Sequence, residues 1–192
     1  MIYLASASPR RQELLRQLGV EFDVMPSNIL EVRAAGESPA QYVARVAGDK
    51  ARHVARQVRE RGLPAHPVLG ADTEVVLDGE ILGKPEHATH GMDMLRRLAG
   101  RTHEVLSAVC VRYRDKEYTA LSTSRVTFRP LTEREIAQYW ETGEPVDKAG
   151  AYAIQGRAAA FISKLEGSYS GVMGLPLYEL DNIFRGLNEN KS

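Results

Sequence analysis

Cysteine is nearly missing from this chain: Cys110 is the only one in 192 residues. That excludes an intrachain disulfide framework and a multi-cysteine zinc site. An excess of charge is missing too, because 25 Lys and Arg balance 25 Asp and Glu. Chains that bind nucleic acid by bulk charge show a basic surplus, so no nucleic-acid partner is expected. A neutral chain can still gather its cations in one cleft. No apolar run approaches the length of a membrane span: Met1-Ile2-Tyr3-Leu4-Ala5 is short and has no basic leader, so a soluble, cytoplasmic protein without a membrane partner is expected. No GxGxxG, P-loop, HExxH or GxSxG pattern occurs. Histidines 53, 66, 87, 90 and 103 lack metal-ligand spacing, and His87 with His90 reads as a solvated helix face. Cys110 lies in an apolar strand, where a buried, inert thiol is expected. Repeats and flexible linkers are absent before a polar tail, Asn188 to Ser192.

What remains is a chain that is 43% hydrophobic, enough for a sizeable core in one domain or two small lobes. Ile2 to Leu4 reads as a strand, followed by a helix over 9–18 with Ser8 as N-cap, Pro9 at the first position and Gly19 as the stop. Val20 to Val24 reads as a second strand and 26–37 as an irregular loop. Ser38-Pro39-Ala40-Gln41 is a capping box opening a long helix, with Val43, Val46, Ala47, Ala51, Val54 and Val58 as its buried stripe. Val68 to Leu77 and Ile81-Leu82 form a hairpin about Asp78-Gly79. A helix over 87–99 follows, then an antiparallel pair, Val105 to Tyr113 and Tyr118 to Phe128. Thr132-Glu133-Arg134-Glu135 is a second capping box, Ala159 to Leu165 a further strand, and the last helix runs from near Pro176 to about Leu187. The order predicts a mixed α/β fold around a largely antiparallel or mixed sheet.

Five places could carry chemistry. Ser6, Ser8, Arg10 and Arg11 surround a helix N-terminus, whose unpaired N–H groups attract anions. Cations in a first helical turn oppose the dipole by about 0.3–1 kcal/mol each, a cost that a bound polyphosphate would remove. The same residues also make an ordinary N-cap with two solvated arginines, and this segment alone does not separate the two. Asp72 and Thr73 follow an apolar strand, and Lys84 lies past the return strand. A carboxylate and an ammonium there suit a metal-phosphate site, or else a surface ion pair. Glu31 stands on an apolar or basic loop. Lys50 adjoins the buried stripe, where solvation is the plainer expectation. Gln155 sits among small residues, where an amide can read a nucleobase edge or simply face solvent.

Taken together, Ala5-Ser6-Ala7-Ser8-Pro9-Arg10-Arg11, Gly70-Ala71-Asp72-Thr73, Gly83-Lys84-Pro85, Asp147-Lys148-Ala149-Gly150-Ala151-Tyr152 and Gly174-Leu175-Pro176-Leu177 resemble the Maf family of nucleoside triphosphate pyrophosphatases, historically linked to inhibition of septum formation. The resemblance covers essentially the whole chain. It implies a single Maf/ITPase-like domain over 1–192, a mixed twisted sheet flanked by helices, with two lobes around a nucleotide cleft. It also implies hydrolysis of a nucleoside triphosphate to monophosphate and pyrophosphate with Mg²⁺ or Mn²⁺, and a homodimer. Asp72 matches the family's proposed proton acceptor, with Ser8, Arg11, Glu31, Lys50 and Lys84 on phosphate- or metal-binding positions; Glu31 and Asp72 are the expected metal ligands. The family usually has two consecutive acids at the loop position, whereas here Leu30 precedes Glu31. Arg10, Thr73 and Gln155 match the type acting on dTTP and UTP, where the 7-methyl-GTP type carries Trp, Gln and Glu. Modified pyrimidine nucleotides are a variant of that substrate class. A nucleotide-binding regulator of cell division with incidental hydrolysis would use the same cradle.

Overall fold

The computed structural model describes residues 1–189. Strand β1 (Ile2–Leu4) leads through Ser8, whose Oγ caps the backbone N–H of Arg11, into helix α1 (Pro9–Gln17). That helix closes by a Schellman turn: Gly19, at φ 66°, donates to Arg16 and Val20 donates to Leu15. Val20 is thereby drawn into the helix exit, so β2 is shorter than expected, Phe22–Val24.

The Ser38 capping box forms as expected, with Ser38 and Gln41 bonded reciprocally, and opens α2 (Pro39–Glu60). Strand β3 (Val68–Leu77) then turns at Asp78 and Gly79, both at positive φ, into β4 (Glu80–Leu82). Helix α3 (Ala88–Leu98) is capped by His87, whose Nδ1 accepts from the backbone N–H of His90, so the histidine pair closes a helix end. The long antiparallel pair is β5 (Thr102–Tyr113) with β6 (Lys116–Phe128), each starting before the expected bounds. Helix α4 (Glu133–Glu141) follows the Thr132 capping box.

Two departures follow. Residues 157–161 form a 3₁₀ turn, not strand, because Glu144 accepts the N–H groups of Arg157 and Ala158; β7 is Ile162–Glu166. The glycine-punctuated stretch before Leu175 holds a short helix, α5 (Tyr169–Met173), capped by Ser168 and ended by Gly174. Helix α6 (Leu177–Glu189) runs into the expected polar tail, of which 190–192 lie outside the described residues.

Among the described residues the strands make one seven-stranded sheet, ordered β2-β1-β3-β5-β6-β7 with β4 also on β3. Strands β1, β2 and β3 are parallel neighbours and the remaining pairs antiparallel, so the sheet is mixed as expected. Alternation along β3 divides the core. Leu69, Ala71, Val75 and Leu77 face one layer with Leu14, Leu95 and Leu180, while Val68 and Val76 face α2 with Val43, Ala47 and Val54. Cys110 is fully buried in the α2 layer, and burial pushes its thiol up from its ordinary value, as an inert thiol requires.

Candidate active site

The site exists because β3 is longer than its neighbours on one edge. Strand β1 pairs with β3 only at Val68 and Leu69, and β4 only from Val75 onward. Between them, residues 70–74 have β5 on one side and a gap on the other. A cleft of about 560 Å³ fills that gap, lined from α1, the 26–31 loop, α2, β3, the 147–155 segment and the end of α5. Ligands of open α/β sheets settle at such places, beyond strand ends where the order of connection changes.

Alternation then sets which residue meets which partner. Asp72 lies on the α2 face, where Gly70 has let the helix come close: a Cβ at Gly70 would stand 2.1 Å from the carbonyl oxygen of Ala47. This contact delivers Lys50, three residues on from Ala47, directly to Asp72. Its Nζ lies 2.8 Å from Oδ1 of Asp72 and 3.0 Å from Oε1 of Glu31. Lys50 and Asp72 are 7% and 4% exposed, so the solvated lysine suggested by the bare sequence is replaced by a buried ion pair. The signal was present: Val43, Ala47, Lys50 and Val54 share one helical face. It is Lys50, not Lys84, that neutralises Asp72; Lys84 is exposed and lines the cleft beyond β4. Burial pushes the Asp72 carboxyl above its ordinary value, with Lys50 and Arg11 opposing. Its Oδ2 is buried without a hydrogen-bond partner.

Thr73 points to the other face and is occupied there. Its hydroxyl lies 2.8 Å from Oγ of the fully buried Ser107, donates to the Gly174 carbonyl and accepts from Arg11 Nη2 at 3.5 Å. Arg11 also gives Nε to the Gly174 carbonyl at 2.8 Å and Nη1 to Ser6 Oγ at 3.2 Å. Arg10 gives Nε to the Met173 carbonyl at 3.3 Å. The unpaired carbonyls at the end of α5 thus compensate two cations placed against the α1 dipole. Burial lowers the pKa of both guanidinium groups, Asp72 opposing at Arg11. Ser8, having capped α1, opens onto the cleft, and Gln155 is exposed on its wall. All the expected residues (Ser8, Arg10, Arg11, Glu31, Lys50, Asp72, Thr73, Lys84 and Gln155) therefore line one cavity.

Sequence reasoning passed over two residues on the cavity wall and one behind it, against Thr73. Ser107 is a hydroxyl in an apolar strand, visible only as a break in its pattern. Lys148 is half-buried on the cleft wall, its pKa lowered by burial and then by Arg10. Glu74 follows Asp72 at the strand period and also lines the cleft. Burial, then the charges of Asp72 and Glu31, push its carboxyl up to about 8. The segment beside it is tight, since a Cβ at Gly150 would meet Val75 at 2.9 Å.

Carboxylate oxygens such as those of Glu31 and Asp72 suit hard cations such as Mg²⁺ and Mn²⁺, and Oδ2 of Asp72 is buried without a partner. The donor set fits such an ion. Among the described residues no three His, Cys, Asp or Glu side chains form a complete cage. Mg²⁺ does not require one, because it takes one or two carboxylates and completes its shell with water and substrate phosphates. No helix among the described residues is long and apolar enough to cross a membrane.

The family profile described as "Maf-like protein" matches residues 1–187. A dTTP/UTP pyrophosphatase of Methylococcus capsulatus is 54% identical over 190 residues, spanning 97% of this chain and 90% of that protein. One of Alkalilimnicola ehrlichii is 56% identical over 181 residues, 93% and 88% of the two chains. A third, from Ralstonia nicotianae, is 54% identical over 185 residues, 93% and 89%.

Proposed function

This chain belongs to the Maf family, and from that premise we propose that it hydrolyses dTTP and UTP to the monophosphate and pyrophosphate. The observation that carries the chemistry is the buried Asp72, held by Lys50 through one oxygen while the other stays unpartnered in the cleft. A water attacks the α-phosphorus, Asp72 either accepts its proton or helps hold the ion that would acidify it, and the bond from the α-phosphorus to the bridging oxygen breaks as pyrophosphate leaves. A carboxylate raised above its ordinary pKa by burial is a stronger base than a solvated one. The proposed cofactor, Mg²⁺ or Mn²⁺ held by Glu31 and Asp72, would supply charge neutralisation and polarise a phosphoryl oxygen.

The chain's own cations do the positioning. Arg10, Arg11, Lys50 and Lys84 meet a triphosphate that carries close to four negative charges, and Ser8 with the α1 N-terminus adds hydrogen bonds. Gln155 donates and accepts at the 4-oxo and N3–H edge of a pyrimidine. Thr73 contributes by fixing Arg11 as well as by shaping the pocket wall. The reading carries with it a cytoplasmic location and a homodimer, the latter checked by sedimentation velocity.

Product analysis after incubating the pure protein with each nucleoside triphosphate and Mg²⁺ or Mn²⁺ tests the proposal. Monophosphate plus pyrophosphate, strongest from dTTP and UTP, is the expected result. Equal turnover of 7-methyl-GTP would overturn the specificity reading. Release of orthophosphate in place of pyrophosphate would overturn the bond assignment. Binding of nucleotide without product would leave a regulator.

A further inference from the structure

Glu74 has no part in the chemistry derived so far, yet it stands in the same cleft, two residues along β3 from Asp72 on the same face. Its Oε2 is buried and unpartnered, as is Oδ2 of Asp72. The ammonium of Lys50 is already shared between Oδ1 of Asp72 and Oε1 of Glu31, so it satisfies neither of those free oxygens. A buried carboxylate oxygen left without donor or cation is costly. Here two lie on one face of a strand, and one belongs to a residue that is only 4% exposed. The surrounding wall is organised for other work: Arg11 is committed to Gly174, Ser6 and Thr73, and Arg10 to Met173. What the two oxygens lack is a small hard cation. Two carboxylates from the protein are what Mg²⁺ takes when substrate phosphate completes its shell.

We infer that Glu74 is a direct ligand of the divalent cation, sharing it with Asp72 through Oε2 and Oδ2. The inference rests on the metal-dependent reading above and makes Glu74, rather than the Lys50-paired Glu31, the partner of Asp72 at the ion.

The test reads metal binding rather than turnover. Mn²⁺ is titrated into the protein in the presence of a dUTP analogue with an imido bridge between the α- and β-phosphorus atoms, and free Mn²⁺ is followed by electron paramagnetic resonance. Glu74→Gln is expected to weaken Mn²⁺ binding about tenfold or more, the least that loss of a supporting group at a metal site costs. Glu60→Gln, an exposed acid at the end of α2, is expected to bind as the wild type does. Circular dichroism melting establishes that each variant is folded. Should Glu74→Gln fail to fold, Glu74→Asp takes its place, with weaker binding again the expected result. Unchanged affinity in the folded variant overturns the inference while leaving hydrolysis, read separately from products, untouched. Absence of Mn²⁺ binding by the wild type overturns it as well.

Discussion

Asp72 and Lys50 show how one residue's chemistry is set by another's placement. A carboxylate 4% exposed would ordinarily take up a proton, and the ammonium 2.8 Å away opposes that. Asp72→Asn keeps the shape and one oxygen but removes the charge and the proton acceptor. Its turnover is expected to fall about 10²–10⁴-fold, the range for loss of a general base, with the melting profile still cooperative. Steady-state kinetics with dTTP alongside thermal melting checks this; a variant retaining most of its turnover would remove Asp72 from the role. Legibility at this scale was uneven. Asp72, Lys84 and the Ser8 to Arg11 group offer themselves as candidates by type and spacing. Glu74 and Ser107 did not, because a lone polar residue in a strand reveals its purpose only when its neighbours across the sheet are known.

Among elements, the decisive contact is α2 on β3. Gly70 has no side chain to hold the helix away, and the backbone of Ala47 occupies the space a Cβ would need. Gly70→Ala is therefore expected to destabilise the fold by about 1–3 kcal/mol through overpacking. It should also lower kcat, because moving α2 outward withdraws Lys50 from Asp72. Chemical denaturation and kinetics on the same preparation test both halves; a fully active, equally stable variant would contradict the placement of Lys50. Capping boxes at Ser38 and Thr132 and the Asp78-Gly79 turn were readable because their signals are local hydrogen bonds. The 3₁₀ turn at 157–161 was not, since it is imposed by Glu144 from a different part of the chain.

Across the whole molecule, stability should carry a mark of buried His103. It is 2% exposed, its Nε2 pairs with the Tyr152 hydroxyl at 2.8 Å, and its Nδ1 has no partner. Burial pushes its pKa down to about 4, so the folded protein keeps it neutral. The unfolded chain takes up the proton near its ordinary value of about 6.5. As pH falls below that value the unfolded state therefore binds more protons than the folded one, and stability is lost until about pH 4. The loss is of order 3 kcal/mol over that window. Denaturation midpoints for the wild type between pH 7.5 and 4.5 should fall more steeply than for a folded His103→Phe variant; parallel curves would contradict the assignment. The helices opened by Ser8, Ser38 and Thr132, the hairpin, the mixed α/β class and the family were legible in the order of residues, because spacing, capping and turn chemistry act within a few positions of the chain. The gap on the edge of β3, the pairing of Lys50 with Asp72 and Glu31, and the clamping of Arg10 and Arg11 by the end of α5 depend on where strands stop relative to one another. Those contacts join residues 19 to 163 positions apart, and only packing brings such partners within hydrogen-bond distance.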